Sequence, residues 1–322
     1  MDSNCLKNAL KLLKTCANCK REEIILFITD DSSKMIADIM WLAAEEFPNK
    51  TMLRITDRKM HGDEPPYVTA IAAKVSDVIF AITKFSMYHT DARRNAVSSG
   101  ARWINMVDYD IDMMKEGGLD EDFIERGKQL DTVGKKLIGD VIIVETAAGT
   151  YLKSKISGRS AVSQYATSID KGTTSAPPNI ECAIGPLEGT SNGIMVVDGS
   201  IPHPRLGLIK EPITITVEDG LVKKIEGGKE ADILRDILLE INENDKNIYN
   251  IGEIGIGMNS RSKLRGRMLE DEGCMGTMHI GIGSNITWGG VINSNNHLDL
   301  VIKDPTIRVD DVVLVLNGKI LF

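Results

Sequence analysis

Two histidines and three acidic residues in the C-terminal half of this chain are of the types that bind metal ions. His297 and Asp299 stand two apart in NNHLDLV. On a strand, residues i and i+2 point to the same face, so this pair could reach one ion together. Imidazole is the commonest metal ligand, and a carboxylate beside it makes a hard-to-borderline donor set. The same spacing also arises incidentally on a surface strand. His279 lies in a second apolar stretch, TMHIGIG, and Glu253 in a third, GEIGIG. A carboxylate among Ile251, Ile254 and Ile256 either faces solvent or is buried with a partner, because a buried unpaired carboxylate is costly and would demand a cation. The flanking glycines suit a close approach of backbone or ligand. Glu181, in APPNIECAIG, is another carboxylate in an apolar setting, solvated or functional.

The elements that would have to position these groups differ between the two halves of the chain. Residues 4–15 carry apolar side chains at helical spacing (Leu6, Ala9, Leu10, Leu12, Leu13), and EIILFITD at 23–30 then reads as a buried strand. SSKMIADIMWLAAEEF is an amphipathic helix opening after Asp30, Asp31 and Ser32, all good capping residues. TMLRIT, SDVIFAIT and ARWINMV are further short apolar runs between helical stretches. That alternation predicts an α/β domain over residues 1–136, a mostly parallel sheet with flanking helices. From residue 137 to 322 the grammar changes to a strand-rich α+β domain. DVIIVETAAGTYLKSKIS reads as a hairpin, and GIMVVDGSI, PITITVEDGLVKKIEG, NIGEIGIG, TMHIGIGS and VVLVLNGKILF read as strands punctuated by Gly, Asp-Gly and Asn-Gly. One helix, KEADILRDILLEINEN, interrupts them.

Bulk properties narrow the function classes. Of 322 residues, 42 % are hydrophobic and 26 % charged, an ordinary globular composition. A net charge of −8 with 5 % aromatics argues against nucleic acid as a partner, whether bound through a basic stripe or a stacking platform. No apolar run reaches the roughly 18 residues of a membrane helix, and the amphipathic start MDSNCLKNALKLLKT lacks the apolar block of a signal peptide. Five cysteines, an odd count, fit reduced thiols in a cytoplasmic protein. Cys16-x-x-Cys19 has no second pair to complete a zinc site, and Cys182 and Cys274 read as packing residues.

The motifs as a group resemble a known family. PPNIECAIGPLEGTSNGIMVVDG (177–199), GEIGIGMN, LEDEGCMGTMHIGIG and NNHLDLV are similar, in order, to the ligand-bearing stretches of the aminopeptidase T and aminopeptidase S metallopeptidases. That resemblance runs from about residue 140 to the C-terminus. It implies that Glu181, Glu253, His279, His297 and Asp299 hold two divalent ions (zinc, cobalt or manganese) in a cytoplasmic homodimer. A shared metal-activated water would then cleave an amide or peptide-like bond of a small molecule or short peptide, with Glu253 as the catalytic carboxylate. The family's tyrosine falls near Ile286, where only Ser284 and Thr287 offer hydroxyls. A second resemblance is to 2,5-dihydroxypyridine 5,6-dioxygenases of the same fold, carried by GLVKKIEGGKEADILRDI, WGGVINSNNHLDLVI and DPTIRVDDVVLV. It implies one Fe(II) and ring cleavage of a hydroxylated pyridine or other aromatic, with His297 and Asp299 as ligands and Glu253 standing where those enzymes carry a histidine. Weighing the donor types over the general look of the chain, the leading expectation is the dinuclear hydrolase, with the dioxygenase as the alternative.

Outside this group, YHTDARRNA is the distinctive loop of the first half. His89 follows a strand, at the edge where open α/β sheets place ligands. It also matches a histidine that faces substrate in the dioxygenases, and it is read as a catalytic candidate or, alternatively, as a helix-starting surface residue capped by Thr90 and Asp91. Arg93 is a candidate for holding a substrate carboxylate through two parallel hydrogen bonds, or else pairs with an acidic neighbour. Glu64-Pro65-Pro66 reads as a rigid loop before a helix and His203 as structural, His61 matches no motif, and GIGIGMN reads as a closely approached strand rather than a dinucleotide loop.

Overall fold

The structure, a computed structural model, describes residues 2–242, 245–294 and 296–322. Helix α1 (Ser3–Lys11), opened by the Asp2 carboxylate accepting from Asn4 N–H, runs into one wider turn at Leu12–Cys16. Then follow β1 (Ile25–Thr29), α2 (Lys34–Ala43), β2 (Lys50–Arg54), α3 (Tyr67–Lys74), β3 (Val78–Thr83), α4 (Asp91–Ser98), β4 (Arg102–Val107) and α5 (Ile111–Lys115). The predicted strands form a parallel sheet in the order β2-β1-β3-β4, with every residue of β1, β3 and β4 buried. Leu26, Ile28, Ile79, Ala81 and Trp103 share one core cluster with Ala73 of α3 and Ala96 of α4. Phe27, on the opposite side of β1, stacks on Phe80 and meets Trp41 of α2 edge-on. Asp30 is wholly buried at the end of β1, where its carboxylate accepts from the N–H groups of Ser33 and Lys84 and so ties the loops after β1 and β3 together.

Next come α6 (Phe123–Lys136), the hairpin of β5 (Val141–Glu145) and β6 (Tyr151–Lys155), and the short β7 (Val162–Gln164). The chain then returns to the first sheet, where β8 (Thr174–Ser175) adds in parallel beside β4. Two compact units result, Met1–Phe123 with Tyr165–Pro178 and Ile124–Gln164 with Asn179–Phe322. The change of sequence grammar at residue 136 falls at the end of α6, a helix grouped, apart from its first residue, with the second unit.

The second unit is strand-rich: β9 (Glu181–Ile184), β10 (Asn192–Val197), β11 (Ser200–Ile201), β12 (Gly207–Leu208), β13 (Ile213–Glu218), β14 (Leu221–Glu226), α7 (Lys229–Asn242), β15 (Ile251–Gly257), α8 (Met268–Asp271), β16 (Thr277–Gly283), β17 (His297–Lys303), β18 (Thr306–Val309), β19 (Val312–Leu316) and β20 (Lys319–Ile320). The helix predicted from residue 229 forms as α7; its expected last residues, Glu243 and Asn244, lie outside the described residues. An eight-stranded sheet has the order β14-β13-β10-β6-β5-β18-β19-β20. Two of its hairpins turn on Asp219-Gly220 (φ 50° and 73°) and Asn317-Gly318 (φ 47° and 74°), the left-handed pairs that a two-residue hairpin turn requires. A five-stranded antiparallel sheet, β17-β16-β15-β9-β7, carries the candidate ligands. No helix among the described residues is long and apolar enough to cross a membrane.

Candidate metal centre

Strand periodicity and register together place all five candidate ligands on one face of the five-stranded sheet. Glu253 and Gly281 are directly opposed, as are Gly281 and Asp299. In the next row Ala183, Gly255, His279 and Val301 lie side by side. Glu181 sits between Gln164 and Gly257, and His297 faces Gly283. The opposite face is apolar and buried: Cys182, Ile184, Ile254, Ile256, Met278, Ile280, Ile282, Leu298, Leu300 and Ile302. On that side α6 packs so closely that a Cβ at Gly134 would lie 3.1 Å from Ser163 Oγ, with Cys182 Sγ in ordinary contact at 3.6 Å.

The glycines have a steric purpose. A Cβ at Gly255 would stand 2.1 Å from His279 Nε2, and one at Gly281 would stand 2.7 Å from His297 Cε1 and 2.9 Å from Glu253 Cβ. The I-G-I-G pattern therefore builds a half-empty face into which imidazole rings lie over the neighbouring strand.

Glu253 stands at the centre. Its Oε1 is 3.1 Å from His279 Nε2 and its Oε2 is 2.8 Å from His297 Nε2. Glu181 Oε2 lies 3.5 Å from His279 Nε2, and Asp299 Oδ1 lies 3.4 Å from His297 Nε2. Two ligand groups share Glu253: Glu181–Glu253–His279 and Glu253–His297–Asp299, each with its donor atoms within 4.8 Å of one another. The His297 Nδ1–H donates to the Ser284 carbonyl at 2.8 Å, which turns Nε2 toward the carboxylates. Gln164 Nε2 donates to Glu181 Oε1 at 2.7 Å. The second oxygen of Glu181, Oδ1 of Asp299 and Nδ1 of His279 are buried without a hydrogen-bond partner. Such atoms are costly to bury and mark where another charge belongs. His297 is the most open of the ligands, with 27 % of its side chain exposed against 2 % for Glu253 and His279, so access is on its side.

The electrostatics follow from three carboxylates and two imidazoles out of water. Burial pushes the Glu181 carboxyl up to about 7, with Glu253 and Asp299 adding and His279 opposing. Burial works against a charged His279, yet Glu181 and Glu253 hold its imidazolium up to about 10. His297 is likewise raised against burial by Asp299 and Glu253. Asp299 is held below the usual carboxylate range, despite burial, by His297 first and His279 next. Two protons on the imidazoles thus stand in for a dication.

One neighbour escaped the sequence reading. Glu272, just past α8, is buried and hydrogen-bonded with Asp299; burial first, then Asp299 and Glu181, raise its carboxyl well above the usual range, so it is the protonated donor to Asp299. Its signal was its place in LEDEG, seven residues before His279.

His89 and Arg93 belong to the first unit and not to this sheet. Both lie just beyond the C-terminal end of β3, around α4. The His89 ring is exposed and meets Tyr88 edge-on at 5.2 Å. Arg93 lies over the Tyr88 ring at 4.8 Å and donates through Nε to the Tyr88 carbonyl at 2.6 Å. Thr90 caps the helix by accepting from Arg93 N–H at 3.2 Å, the capping role anticipated for it. His61 Nδ1 accepts from Ser86 N–H, and Cys16, Cys19, Cys182 and Cys274 are buried free thiols whose pKa values burial raises.

Comparison with known proteins corrects the leading expectation. The pattern of the NicX family, 2,5-dihydroxypyridine 5,6-dioxygenase, matches residues 5–322. The curated 2,5-dihydroxypyridine 5,6-dioxygenase of Pseudomonas putida is 29 % identical over 188 residues, 55 % of this chain and 53 % of that protein, so the matched chain spans about half the length of that relative. The solved structure of 2,5-dihydroxypyridine dioxygenase from Pseudomonas putida KT2440 superposes with a TM-score of 0.82 at 20 % identity, covering 100 % of this chain and 98 % of that one. AmpT from Thermus thermophilus superposes with a TM-score of 0.73 at 11 % identity, covering 99 % of each, and so shares the fold. The hydrolase, aminopeptidase and metalloprotease reading is overturned: it rested on donor types at five positions, whereas the likeness that extends over the whole chain is to the ring-cleaving enzymes. By that full-length match, this chain belongs to the 2,5-dihydroxypyridine 5,6-dioxygenase family.

Proposed function

We propose that this protein opens the ring of a small hydroxylated pyridine, or a related hydroxylated aromatic, with molecular oxygen, using a divalent metal held by Glu253, His297 and Asp299. Family membership over residues 5–322 supports the reaction class. The observation that carries the site is Asp299 Oδ1, buried beside His297 and Glu253 with no hydrogen-bond partner. A buried acceptor whose nearest donor is an imidazole 3.4 Å away, in a group of one imidazole and two carboxylates, fits a cation better than it fits a packed core. Bound there, Fe(II) would supply the redox chemistry that lets oxygen react with a ring, and open positions for both.

The chain's own residues do the rest. Ser284 holds His297 in the tautomer that presents Nε2. Glu272 keeps a proton against Asp299, which limits the negative charge of the group to what a divalent ion can offset. Glu253, which on the resemblance stands where those enzymes carry a histidine, makes the donor set harder, which favours iron, manganese, cobalt or zinc over softer ions. The neighbouring group Glu181–Glu253–His279 supports a second ion of the same class. We assign His89 to proton handling and Arg93 to gripping a substrate oxygen. This is supported by their place beyond the C-terminal end of β3, where parallel sheets bind ligands, and by the absence of a carboxylate partner for Arg93 among the described residues. A homodimer completes the proposal.

The test is oxygen uptake by protein loaded anaerobically with Fe(II) and given 2,5-dihydroxypyridine. One oxygen should be consumed per ring lost, and Asp299→Ala should abolish it. Turnover that continues without oxygen, or no uptake across a panel of hydroxypyridines and dihydroxybenzenes, overturns the proposal.

A further inference from the structure

Glu188 follows β9, in the turn that leads to β10, and its two carboxylate oxygens have different tasks. Oε1 accepts twice from the connection between β16 and β17, from the Asn285 side-chain amide at 2.8 Å and from the Val291 N–H at 2.9 Å. Oε2 accepts from Arg159 Nη2 at 2.7 Å, and the same guanidinium donates through Nη1 to the Gly289 carbonyl. Both side chains are largely buried, Arg159 with 12 % and Glu188 with 26 % exposed. Burial opposes a charged Glu188, but the N–H groups of Val291 and of Glu188 itself, the Asn285 amide and Arg159 outweigh it and hold the carboxyl below its usual range. One ionised carboxylate, braced from behind, thus grips both sides of a loop that ends at a metal ligand.

Asn285 connects this grip to His297. The Ser284 carbonyl, which accepts from His297 Nδ1–H at 2.8 Å, and the Asn285 N–H belong to one planar trans peptide unit and so point in opposite directions. The Asn285 N–H donates to the Ile292 carbonyl at 3.1 Å, and the Ile292 N–H returns to Asn285 Oδ1 at 2.8 Å. Residues 285 and 292 are therefore tied in a closed ring, and Glu188 Oε1 holds it from both ends. Fixing the ring fixes the peptide plane and the direction in which the Ser284 oxygen meets the imidazole. We infer that Glu188, braced by Arg159, is a positioning residue for His297: it sets the 284–285 peptide so that the ring is locked with Nε2 toward the metal. The inference rests on the reading of His297 as a metal ligand and goes beyond it by naming what aims the most exposed of the ligands. Among the described residues Glu188 and Arg159 hydrogen-bond to none of Glu253, His297 and Asp299, so the effect is carried by the backbone.

The experiment follows the ring nitrogens and N–H protons of the five histidines by NMR of the nitrogen-labelled full-length protein, first metal-free and then through a zinc titration. In the metal-free native protein the His297 Nδ1–H should exchange slowly with solvent, and zinc should shift the His297 Nε2 signal as it binds. In Glu188→Ala that proton should exchange about tenfold faster, and zinc should bind at His297 about tenfold more weakly. Asn285→Ala should do the same, and combining the two should add little, since both act through one contact. Trp288 is buried, and a Cβ at Gly185 would stand 2.7 Å from its carbonyl oxygen, so the loop keeps a second anchor and Glu188→Ala should fold. Should it not, Glu188→Asp keeps the pair with Arg159 while withdrawing the oxygen from Asn285 and Val291, and should show part of both changes. A merely structural Glu188 would lower the melting temperature and leave the His297 proton and the zinc affinity as they are; that result overturns the inference. A native protein that takes no zinc would instead bring down the metal-centre reading, and the exchange rate, read without metal, tells the two failures apart.

Discussion

The parallel sheet and the ligand-bearing sheet both have central strands in which every residue is buried, yet they use that burial differently. In the first, both faces are apolar: Leu26 and Ile28 pack toward α3 and α4, and Phe27 stacks on Phe80. In the second, Ile254, Ile256, Ile280 and Ile282 fill one face, and the other alternates glycine with histidine and carboxylate. Apolar packing on one side anchors the sheet while the missing side chains on the other make room for charge. A fully buried strand pattern therefore does not by itself distinguish core from site; the glycine positions do.

The largest effect should come from breaking the shared carboxylate. Glu253 meets both imidazoles, so Glu253→Ala leaves two positive rings, His279 buried and His297 partly exposed, without their common partner, a loss of about 3–5 kcal/mol in the metal-free protein. Metal content should fall to background. In the parallel sheet, Ile28→Ala should also cost about 2–5 kcal/mol through the cavity it leaves, but metal bound per folded molecule should stay the same. Denaturant melts together with metal analysis separate the two; a Glu253→Ala protein that kept its metal would sink the comparison. Next comes Gly281→Ala. The added methyl would sit within 2.9 Å of both His297 and Glu253, so about 1–3 kcal/mol of overpacking strain should accompany weakened metal binding. The reverse change in the parallel sheet, Ala81→Gly, should cost about 0.5–1 kcal/mol and leave metal affinity untouched.

A pH series sharpens the contrast, because the ligand face, unlike the parallel sheet, titrates as a unit. His279 is raised from 6.5 to about 10 in the folded protein, so its contribution to stability is fully present below 6.5 and is lost as pH climbs through 10. Glu181, raised from 4.5 to about 7, acts in the same direction at lower pH, favouring the fold below 4.5 and losing that contribution as pH passes 7. Asp299 runs the other way, contributing above its ordinary 3.8 and losing that only in strong acid. The melting temperature of metal-free protein should thus fall between pH 7 and 10. Saturating zinc should flatten the curve, since the ion displaces those protons. A metal-free curve that rises over this window contradicts the assigned charges.

Much of this was legible in the residues, for identifiable reasons. Asp219-Gly220 and Asn317-Gly318 encode their hairpins locally, and His297 and Asp299 share a face by period alone. What joins Glu181 to Glu253 and His279 is register between strands far apart in sequence, which no local pattern carries. The trace left in the residues is the glycine that alternates with isoleucine in IGEIGIG and TMHIGIG; that each histidine lies opposite such a glycine emerges only with the register. Gln164 and Glu272 were missed because an amide at an edge and a protonated carboxyl next to a turn look solvated until their partners are known. The return of residues 165–178 to the first sheet was missed because β8 is two residues long. Reaction class was misjudged for a different reason: five donor types were weighed above the likeness of the whole chain.

The smallest effect tests whether the parallel sheet has any hand in metal binding. Thr90 accepts from Arg93 N–H and caps α4, so Thr90→Ala should cost about 1 kcal/mol and fray the first turn that carries Arg93. If Arg93 grips substrate, the apparent KM should rise while kcat and metal content hold, because the cap only lowers the fraction of molecules with the guanidinium in place. Arg93→Lys should raise KM further, since the stacked, forked guanidinium over Tyr88 has no equivalent in an ammonium. Were Thr90→Ala to change zinc affinity instead, the division of labour between a packed first sheet and a ligand-bearing second one would be wrong. An unchanged KM in both variants would leave that division standing and remove Arg93 from the substrate's surroundings.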